Sequence, residues 1–191
     1  LGATGSIGSS LAKKLVESGE QVHLVGRDET SLSELANELD STFTTCDVLE
    51  ENFSEKIIND LKDEQVNGLA YCVGSIDLKP LKLTKKSDFM QSFNLNLVSA
   101  TEIIKSLADN LKTNKGSVVL FSTVAVQQGF PNHALVSSAK GAVEGLTLAL
   151  AAEYATKYVG KLLEIREELK KRVQKDSIFD PPHSTLSIGG I

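Results

Sequence analysis

Along residues 1–155, short apolar runs with strand character alternate with longer runs whose apolar residues recur at helical spacing. This alternation is typical of α/β proteins, in which crossover helices join parallel strands and cover both faces of the sheet. The segment 117–121 is Ser-Val-Val-Leu-Phe, which is β-branched and short enough for a buried parallel strand. The sequence therefore predicts a doubly wound, mostly parallel, Rossmann-like sheet in a three-layer α/β/α arrangement.

The order of the predicted elements fits one domain over residues 1–156. Strands are predicted at 21–25, 42–46, 67–73 and 117–121, and helices at 9–18, 28–39, 50–63, 87–111 and 132–158. Residues 157–191 are predicted to form a charged helix and a tail that belong to the same domain. The chain opens without Met directly on a glycine-rich loop, and no sixth strand is evident after Tyr154. We therefore expect the sheet to be incomplete at the N-terminus and in the C-terminal part.

The composition and net charge argue against several classes of binding partner. The formal net charge of −5 provides no positive field for nucleic acid or an acidic membrane. No run of 18 apolar residues and no leader-like N-terminus is present, so we expect no membrane partner and a cytoplasmic location. Only two cysteines are available, and the three histidines form no cluster with metal-ligand spacing, so no metal site is predicted.

The segment Gly-Ala-Thr-Gly-Ser-Ile-Gly at residues 2–8 stands directly before a predicted helix. Glycines in such a loop permit a tight turn and a close approach of the backbone to a pyrophosphate, whose charge is stabilised by the helix N-terminus. The alternative is a glycine-rich turn that binds no ligand. A phosphate cradle is the more specific prediction, and it places Gly2, Thr4, Gly5, Ile7 and Gly8 at the cofactor.

Arg27 follows the next predicted strand, at the position where a protein of this fold contacts the adenosine ribose. A guanidinium pairs with a 2′-phosphate through two hydrogen bonds, whereas a carboxylate would repel it. The alternative is a charge that only faces solvent. The residue predicts NADP in preference to NAD.

Six motifs in this order resemble the short-chain dehydrogenase/reductase superfamily, over about residues 1–155. They are the glycine-rich loop, Asp47-Val48 after the third strand of the family, Gly74 after the fourth, Asn96 in a helix, Thr123 at the end of the fifth strand, and Lys140 in the following helix. Ser6 stands at one of the glycine positions of the family, although the neighbouring Gly5 is able to compensate for it.

The resemblance implies an oxidoreductase that transfers a hydride between NADP(H) and a small carbonyl or alcohol substrate. It implies that Thr123 orients the carbonyl, that Lys140 holds the nicotinamide ribose and that Asn96 supports a relay water. Asp47 and Val48 would contact the adenine. Members of the superfamily commonly pair through two long helices, which here are 87–111 and 132–158, so a homo-dimer or homo-tetramer is expected.

One departure from the family bears directly on activity. The family places a proton-donating Tyr four residues before the Lys, and that position is Val136 here. His133 is a candidate replacement acid, because in a continuous helix it would lie two turns before Lys140 on the same face. It is also a candidate for a purely structural residue at the helix entry. Two functions therefore stay open, an active NADP-dependent reductase and a catalytically inactive dinucleotide-binding or scaffold protein.

Overall fold

The computed structural model describes residues 1–62 and 64–154, in which four parallel strands alternate with helices. The strands are β1 His23–Gly26, β2 Thr42–Thr45, β3 Gly68–Tyr71 and β4 Ser117–Leu120. The α-helices are α1 Ser6–Glu17, α2 Glu29–Leu39, α3 Phe53–Leu61, α4 Lys86–Phe93, α5 Ser99–Thr113, α6 Ala125–Gln128 and α7 Ala134–Tyr154. The helix and tail predicted at 157–191 lie outside the described residues.

The chain divides into two compact units, Leu1–Val143 and Glu144–Ile191. All four strands belong to the first unit. Of the second unit, the described residues are the final part of α7. The predicted domain boundary after residue 156 stays a prediction.

The sheet consists of two parallel pairs, β1 with β2 and β3 with β4. The first three residues lie between them: Ala3 N–H donates to the carbonyl of Val25 at 3.0 Å, and the amino nitrogen of Leu1 donates to Ala70 at 2.9 Å. Cys72 N–H donates back to the Leu1 carbonyl at 3.0 Å. Residues 1–3 thus join the two pairs in the order β2, β1, residues 1–3, β3, β4, which confirms the predicted Rossmann-like, mostly parallel arrangement.

Helices α1 and α2 cover β1 because their apolar residues share one stripe. The resulting cluster contains Ala3, Ala12, Leu24, Leu32, Leu35 and Ala36, with Val22 and Leu39 packed against it. The N-terminus of α2 is fixed by Asp28, whose carboxylate accepts a hydrogen bond from Ser31 N–H at 2.8 Å. The prediction for this part of the chain is confirmed to within three residues at each boundary.

The single helix predicted at 87–111 is wrong in one respect, because a π-helix, Asn94–Val98, separates α4 from α5. A π-helix inserts one extra residue into a turn, and apolar spacing does not reveal such an insertion. Ser99 closes it, since its hydroxyl lies 2.7 Å from the Val48 carbonyl and 2.8 Å from the Asn94 carbonyl. The distortion determines where Asn96 points.

The helix predicted to begin at residue 132 begins instead at Ala134. Asn132 has a φ of 67°, in the left-handed region, and therefore cannot belong to a right-handed helix. His133 precedes the helix, and its carbonyl accepts Ser137 N–H at 2.8 Å. By length and composition alone α7 could cross a membrane, a test that core helices of soluble proteins also pass.

A polar network crosses from β1 to α3. His23 Nδ1 lies 2.8 Å from Thr42 Oγ1, and its Nε2 lies 2.9 Å from Thr44 Oγ1. The Thr44 hydroxyl donates to the Asp60 carboxylate at 2.6 Å, so it is free to accept from the ring. Burial lowers the pKa of His23 below its ordinary value of 6.5, although Asp60 opposes the shift.

We expect the free energy of unfolding to fall as the pH drops below 6.5, since the unfolded chain then binds a proton that folded His23 resists. His23→Gln removes this proton uptake and should flatten the pH dependence between about pH 7 and pH 5. Urea unfolding of both proteins at several pH values measures the difference. Because only residue 23 differs between the two proteins, the difference in slope reports on His23. Equal slopes would show that His23 is not the group responsible.

Candidate functional site

The predicted site residues lie at the carboxyl ends of the strands. Arg27 follows β1, Asp47 lies two residues after β2, Gly74 three residues after β3 and Thr123 three residues after β4. Because the strands are parallel, these ends lie along one edge, where open α/β sheets bind their ligands. The glycine-rich loop follows residues 1–3 at the centre of that edge.

The glycines of the loop are required by close contacts. Gly2 has a φ of 75°, and a Cβ on it would lie 2.9 Å from the Cys72 carbonyl carbon. A Cβ on Gly8 would overlap the Gly2 carbonyl oxygen. Gly5 N–H donates to that same oxygen at 3.1 Å and so closes the turn. Helix α1 consequently starts in direct contact with the chain that lies between β1 and β3.

The N-terminus of α1 has a free polar face. Its N-cap residue is Gly5, which has no side chain to cap the helix, and within the described part of the chain no side-chain cap is seen. The first turn contains no acidic residue. The residues around it, Thr4 to Ile7, are exposed. Free N–H groups and the positive end of the helix dipole together favour an anion.

Two charged residues follow β1: an exposed arginine, and an aspartate whose carboxylate caps α2. Arg27 is exposed, and it follows the buried Gly26, where a Cβ would lie 3.7 Å from Thr4 Oγ1. The Ser31 hydrogen bonds hold the pKa of the Asp28 carboxyl below its ordinary value, because that carboxylate caps α2. The Asp28 carboxylate thus serves the helix, and Arg27 is the charged residue left beside the loop.

The Asp47-Val48 turn is fixed on both sides. Asp47 Oδ1 accepts Leu49 N–H at 3.0 Å, and the buried Val48 accepts the Ser99 hydroxyl through its carbonyl. The turn is thereby held to the start of α5. Because β1 and β2 are parallel neighbours, this turn and Arg27 follow adjacent strands at the same edge of the sheet.

Gly74, Asn96 and Lys140 form the inner part of the site. Asn96 is 1% exposed, and its amide nitrogen donates to the Ser92 carbonyl at 2.9 Å. Among residues 1–62 and 64–154, its Oδ1 has no hydrogen-bond partner. A Cβ on Gly74 would lie 3.0 Å from that Oδ1 and 3.4 Å from Lys140 Nζ. A side chain at Gly74 would therefore crowd both a buried acceptor and an amine, and glycine lets these two groups approach the backbone after β3.

Lys140 is buried, and within the part of the chain that the structure describes its amine has no ion pair. Burial lowers its pKa below the ordinary value of 10.5. An amine without a counter-ion and an acceptor without a donor are both suited to a polar ligand placed between them. These two observations fit a ligand with hydroxyl groups, such as the ribose of a dinucleotide.

Thr123 approaches helix α7 through the segment that follows it. Its Oγ1 accepts Ala125 N–H at 3.3 Å, and the Ala125 carbonyl accepts the Ser137 hydroxyl at 3.1 Å. The buried Val136 precedes Ser137 on the first turn of α7. The structure thus ties the Thr123 loop to the helix that carries Lys140.

The geometry assumed for His133 is wrong, because His133 lies before α7 and not two helical turns before Lys140 within it. Its Nδ1 lies 2.7 Å from the Pro131 carbonyl, and its ring packs on Phe130 with centroids 5.4 Å apart. These contacts are those of a residue that closes a helix-entry turn. The proposal that His133 is the proton donor stays a prediction, but it is no longer supported by a shared helical face with Lys140.

Sequence reasoning missed Tyr71. This buried residue donates its hydroxyl to the Leu95 carbonyl at 2.7 Å and so holds the π-helix that carries Asn96. Burial raises the pKa of Tyr71 far above its ordinary value, so the phenol stays protonated as a donor. Its place one residue before Cys72 in the fourth-strand motif was the available signal.

Comparison with known proteins agrees with this architecture. The family model described as enoyl-(acyl carrier protein) reductase matches residues 2–159. A 3β-hydroxysteroid dehydrogenase of Mediterraneibacter gnavus is 28% identical over 82% of this chain and 59% of its own length. An L-xylulose reductase of Bos taurus is 30% identical over 80% of this chain and 63% of its own length. The chain belongs to the short-chain dehydrogenase/reductase superfamily.

Solved structures show the same fold. The KRED1-Pglu enzyme superposes with a TM-score of 0.77 at 18% identity, over 81% of this chain and 67% of that one. A short-chain dehydrogenase/reductase of Vibrio parahaemolyticus gives a TM-score of 0.73 at 25% identity, over 82% and 77%. The chain spans little more than half the length of the first curated relatives.

Proposed function

We propose that this protein is an oxidoreductase that transfers a hydride between NADP(H) and a small carbonyl or alcohol substrate. The observation that carries the proposal is the convergence at Gly74 of the buried amine of Lys140 and the buried Asn96 Oδ1, which has no hydrogen-bond partner among the described residues. The bound nicotinamide supplies or accepts the hydride. The curated relatives named above are a dehydrogenase and a reductase, which supports the same class of reaction.

Each side chain has a defined part in this proposal. The loop at residues 2–8 and the start of α1 bind the pyrophosphate, and Arg27 binds the 2′-phosphate. Lys140 donates to the nicotinamide ribose, and Asn96 Oδ1 accepts from a water that supplies protons to the site. Thr123 donates to the substrate carbonyl and polarises it.

The proton donor of the proposed reaction differs from that of the superfamily, because Val136 stands at the position of its Tyr. Val136 has no proton to give, so the acid is His133 or a water beside Asn96. The Pro131 carbonyl can only accept, so Nδ1 of His133 carries the proton of that hydrogen bond, and Nε2 is the ring atom that would face a substrate. Val136 also favours the second candidate function, a protein that binds the dinucleotide without turnover.

Turnover with NADPH and a panel of aldehydes and ketones, followed by the loss of NADPH absorbance, tests the proposed function. We expect measurable reduction, abolished together with tight cofactor binding in Lys140→Met. His133→Ala should lower the rate about 100-fold or more at unchanged NADPH affinity if His133 is the acid. NADPH binding without turnover on any substrate would favour the binding protein.

We expect wild type to bind NADPH more tightly than NADH, and Arg27→Asp to reverse the preference. The substitution replaces a guanidinium with a carboxylate where the 2′-phosphate would lie, a change in charge-assisted hydrogen bonding of about 10-fold to 100-fold in affinity. Fluorescence titration of both cofactors measures it. Arg27→Gln, which removes the charge only, should equalise the two affinities. Preferences that are the same in all three proteins would remove Arg27 from the site.

We further propose a cytoplasmic homo-dimer or homo-tetramer, paired through α5 and α7. Leu148 and Ala149 of α7 are exposed, and small or apolar residues there are suited to a helix interface. Light scattering should give at least twice the 20.5 kDa chain mass at micromolar concentration. Leu148→Glu should lower that mass, because it places a charge in the interface. A monomeric wild type would dismiss the pairing.

A further inference from the structure

Large apolar side chains are exposed on two segments beside the site. The first segment follows β3 and the second follows β4. Ile76 is 74% exposed and Val124 is 69% exposed, values above those of most apolar residues in the chain. We call the six residues of this group the apolar rim: Ile76, Leu78, Leu81, Leu83, Val124 and Phe130.

The two segments are joined to each other. Lys79 N–H donates to the Asn132 carbonyl at 3.1 Å, which links the segment after β3 to the turn that precedes α7. The Lys79 amine pairs with Asp88 at 3.0 Å and with Asp77 at 3.3 Å. These contacts hold Lys79 in place, so the apolar residues on either side of it are displayed by an anchored segment.

The apolar rim adjoins the candidate site along the chain. Ile76 lies two residues after Gly74, which approaches Lys140, and Val124 directly follows Thr123. Both segments of the rim therefore start at residues of the candidate site. Exposed apolar groups of this number are a typical mark of a ligand or partner surface.

Cations lie at the outer end of the same segment. Lys82 stands between two rim leucines, and Lys85 and Lys86 follow them. All three are exposed, and among residues 1–62 and 64–154 none has an ion pair. In a chain with a net charge of −5, this local excess of positive charge favours an anionic group.

On the basis of the proposed function, we propose that the substrate is an amphipathic carbonyl compound. Its aliphatic chain packs on the apolar rim, and an anionic group at the end remote from the carbonyl pairs with Lys82 and its neighbours. Apolar burial then sets affinity through chain length, while the anion fixes which end enters the site. A carboxylate and a phosphate are equivalent in this respect.

Binding is the first test, because it does not depend on turnover. In the NADPH complex, calorimetry compares a long-chain ω-oxo carboxylate with an uncharged alkanal of equal length and with shorter members of both series. We expect affinity to rise about threefold to fourfold per methylene over the rim. The carboxylate series should bind more tightly, by a margin that shrinks with added salt.

Two variants and two matched controls locate the effect. Leu81→Ser should reduce the gain per methylene, whereas Phe43→Ser, at an exposed apolar residue of β2, should not. Lys82→Gln should remove the advantage of the carboxylate, whereas Lys112→Gln, near the end of α5, should keep it. None of the four residues belongs to the cofactor or catalytic set.

The outcomes separate this inference from the proposed function. Chain-length-dependent binding that Leu81→Ser weakens supports the rim even if no carbonyl is reduced, in which case only the proposed function fails. Affinity that is independent of chain length, or equal effects of Leu81→Ser and Phe43→Ser, overturns the rim while turnover stays intact. A Leu81→Ser protein that changes oligomeric mass but not ligand binding also overturns it, because a second copy then occupies the surface.

Discussion

Val136→Tyr is expected to raise carbonyl reduction by NADPH by about 100-fold or more, the usual scale for a positioned general acid. Val136 lies on α7 four residues before Lys140, so both side chains share one helical face. The buried amine beside a phenol lowers the pKa of that phenol and eases proton donation. Val136 is itself buried, and the larger ring costs on the order of 1–3 kcal/mol of stability.

Val136→Phe is the matched control, since it adds nearly the same volume without the hydroxyl. Rates from steady-state assays and unfolding midpoints are compared for all three proteins. We expect Val136→Phe to lose a similar amount of stability and to gain no activity. Equal rates in the Tyr and Phe variants would show that the site does not use a donor at position 136.

Gly8→Ala is expected to abolish tight cofactor binding, with at least a 100-fold loss in NADPH affinity. The new Cβ would overlap the carbonyl oxygen of Gly2, which is backbone and cannot rotate away. Either α1 or the loop must move, and both carry the N–H groups proposed to bind the pyrophosphate. Overpacking at such a contact also costs about 1–3 kcal/mol of stability.

Gly145→Ala provides the control, because a Cβ there meets nothing within 4 Å and the residue lies in α7. We expect it to keep NADPH affinity and to gain about 0.5–1 kcal/mol, since alanine favours a helix over glycine. Cofactor titration and urea unfolding measure both variants. A Gly8→Ala protein that binds as wild type would mean that the loop tolerates a shift of α1.

The sequence predicted the structure well where apolar residues recur at the period of a helix or a strand. The helical stripe of α2 buries its apolar residues against neighbours, so periodicity located it to within a few residues. The strand predicted at 117–121 was also located, but the expectation that it is buried was wrong, since Val118 and Val119 are exposed. The glycine-rich loop was equally readable, because Gly2 and Gly8 are fixed by backbone contacts that exclude a side chain. Parallel pairing followed from the same alternation.

Two local features lay beyond the sequence. The π-helix before Ser99 depends on the Tyr71 and Ser99 hydrogen bonds, which join residues far apart in the chain. The start of α7 depends on the left-handed Asn132, whose carbonyl is held by Lys79. Both features are set by contacts between distant residues, which override the helical spacing of apolar residues along the chain. For that reason the α-helix predicted around Asn96 is a π-helix in the structure, and the helical argument for His133 was wrong.

The three hydrogen bonds of Leu1 and Ala3 have a consequence for how ligand binding and folding are coupled. Among the described residues, they provide the backbone link between the β1–β2 pair and the β3–β4 pair. The loop that faces the phosphate is the direct continuation of this link. We therefore expect an anion bound at this loop to stabilise the association of the two half-sheets as well, so that the proposed cofactor would raise the stability of the fold in addition to its part in the reaction.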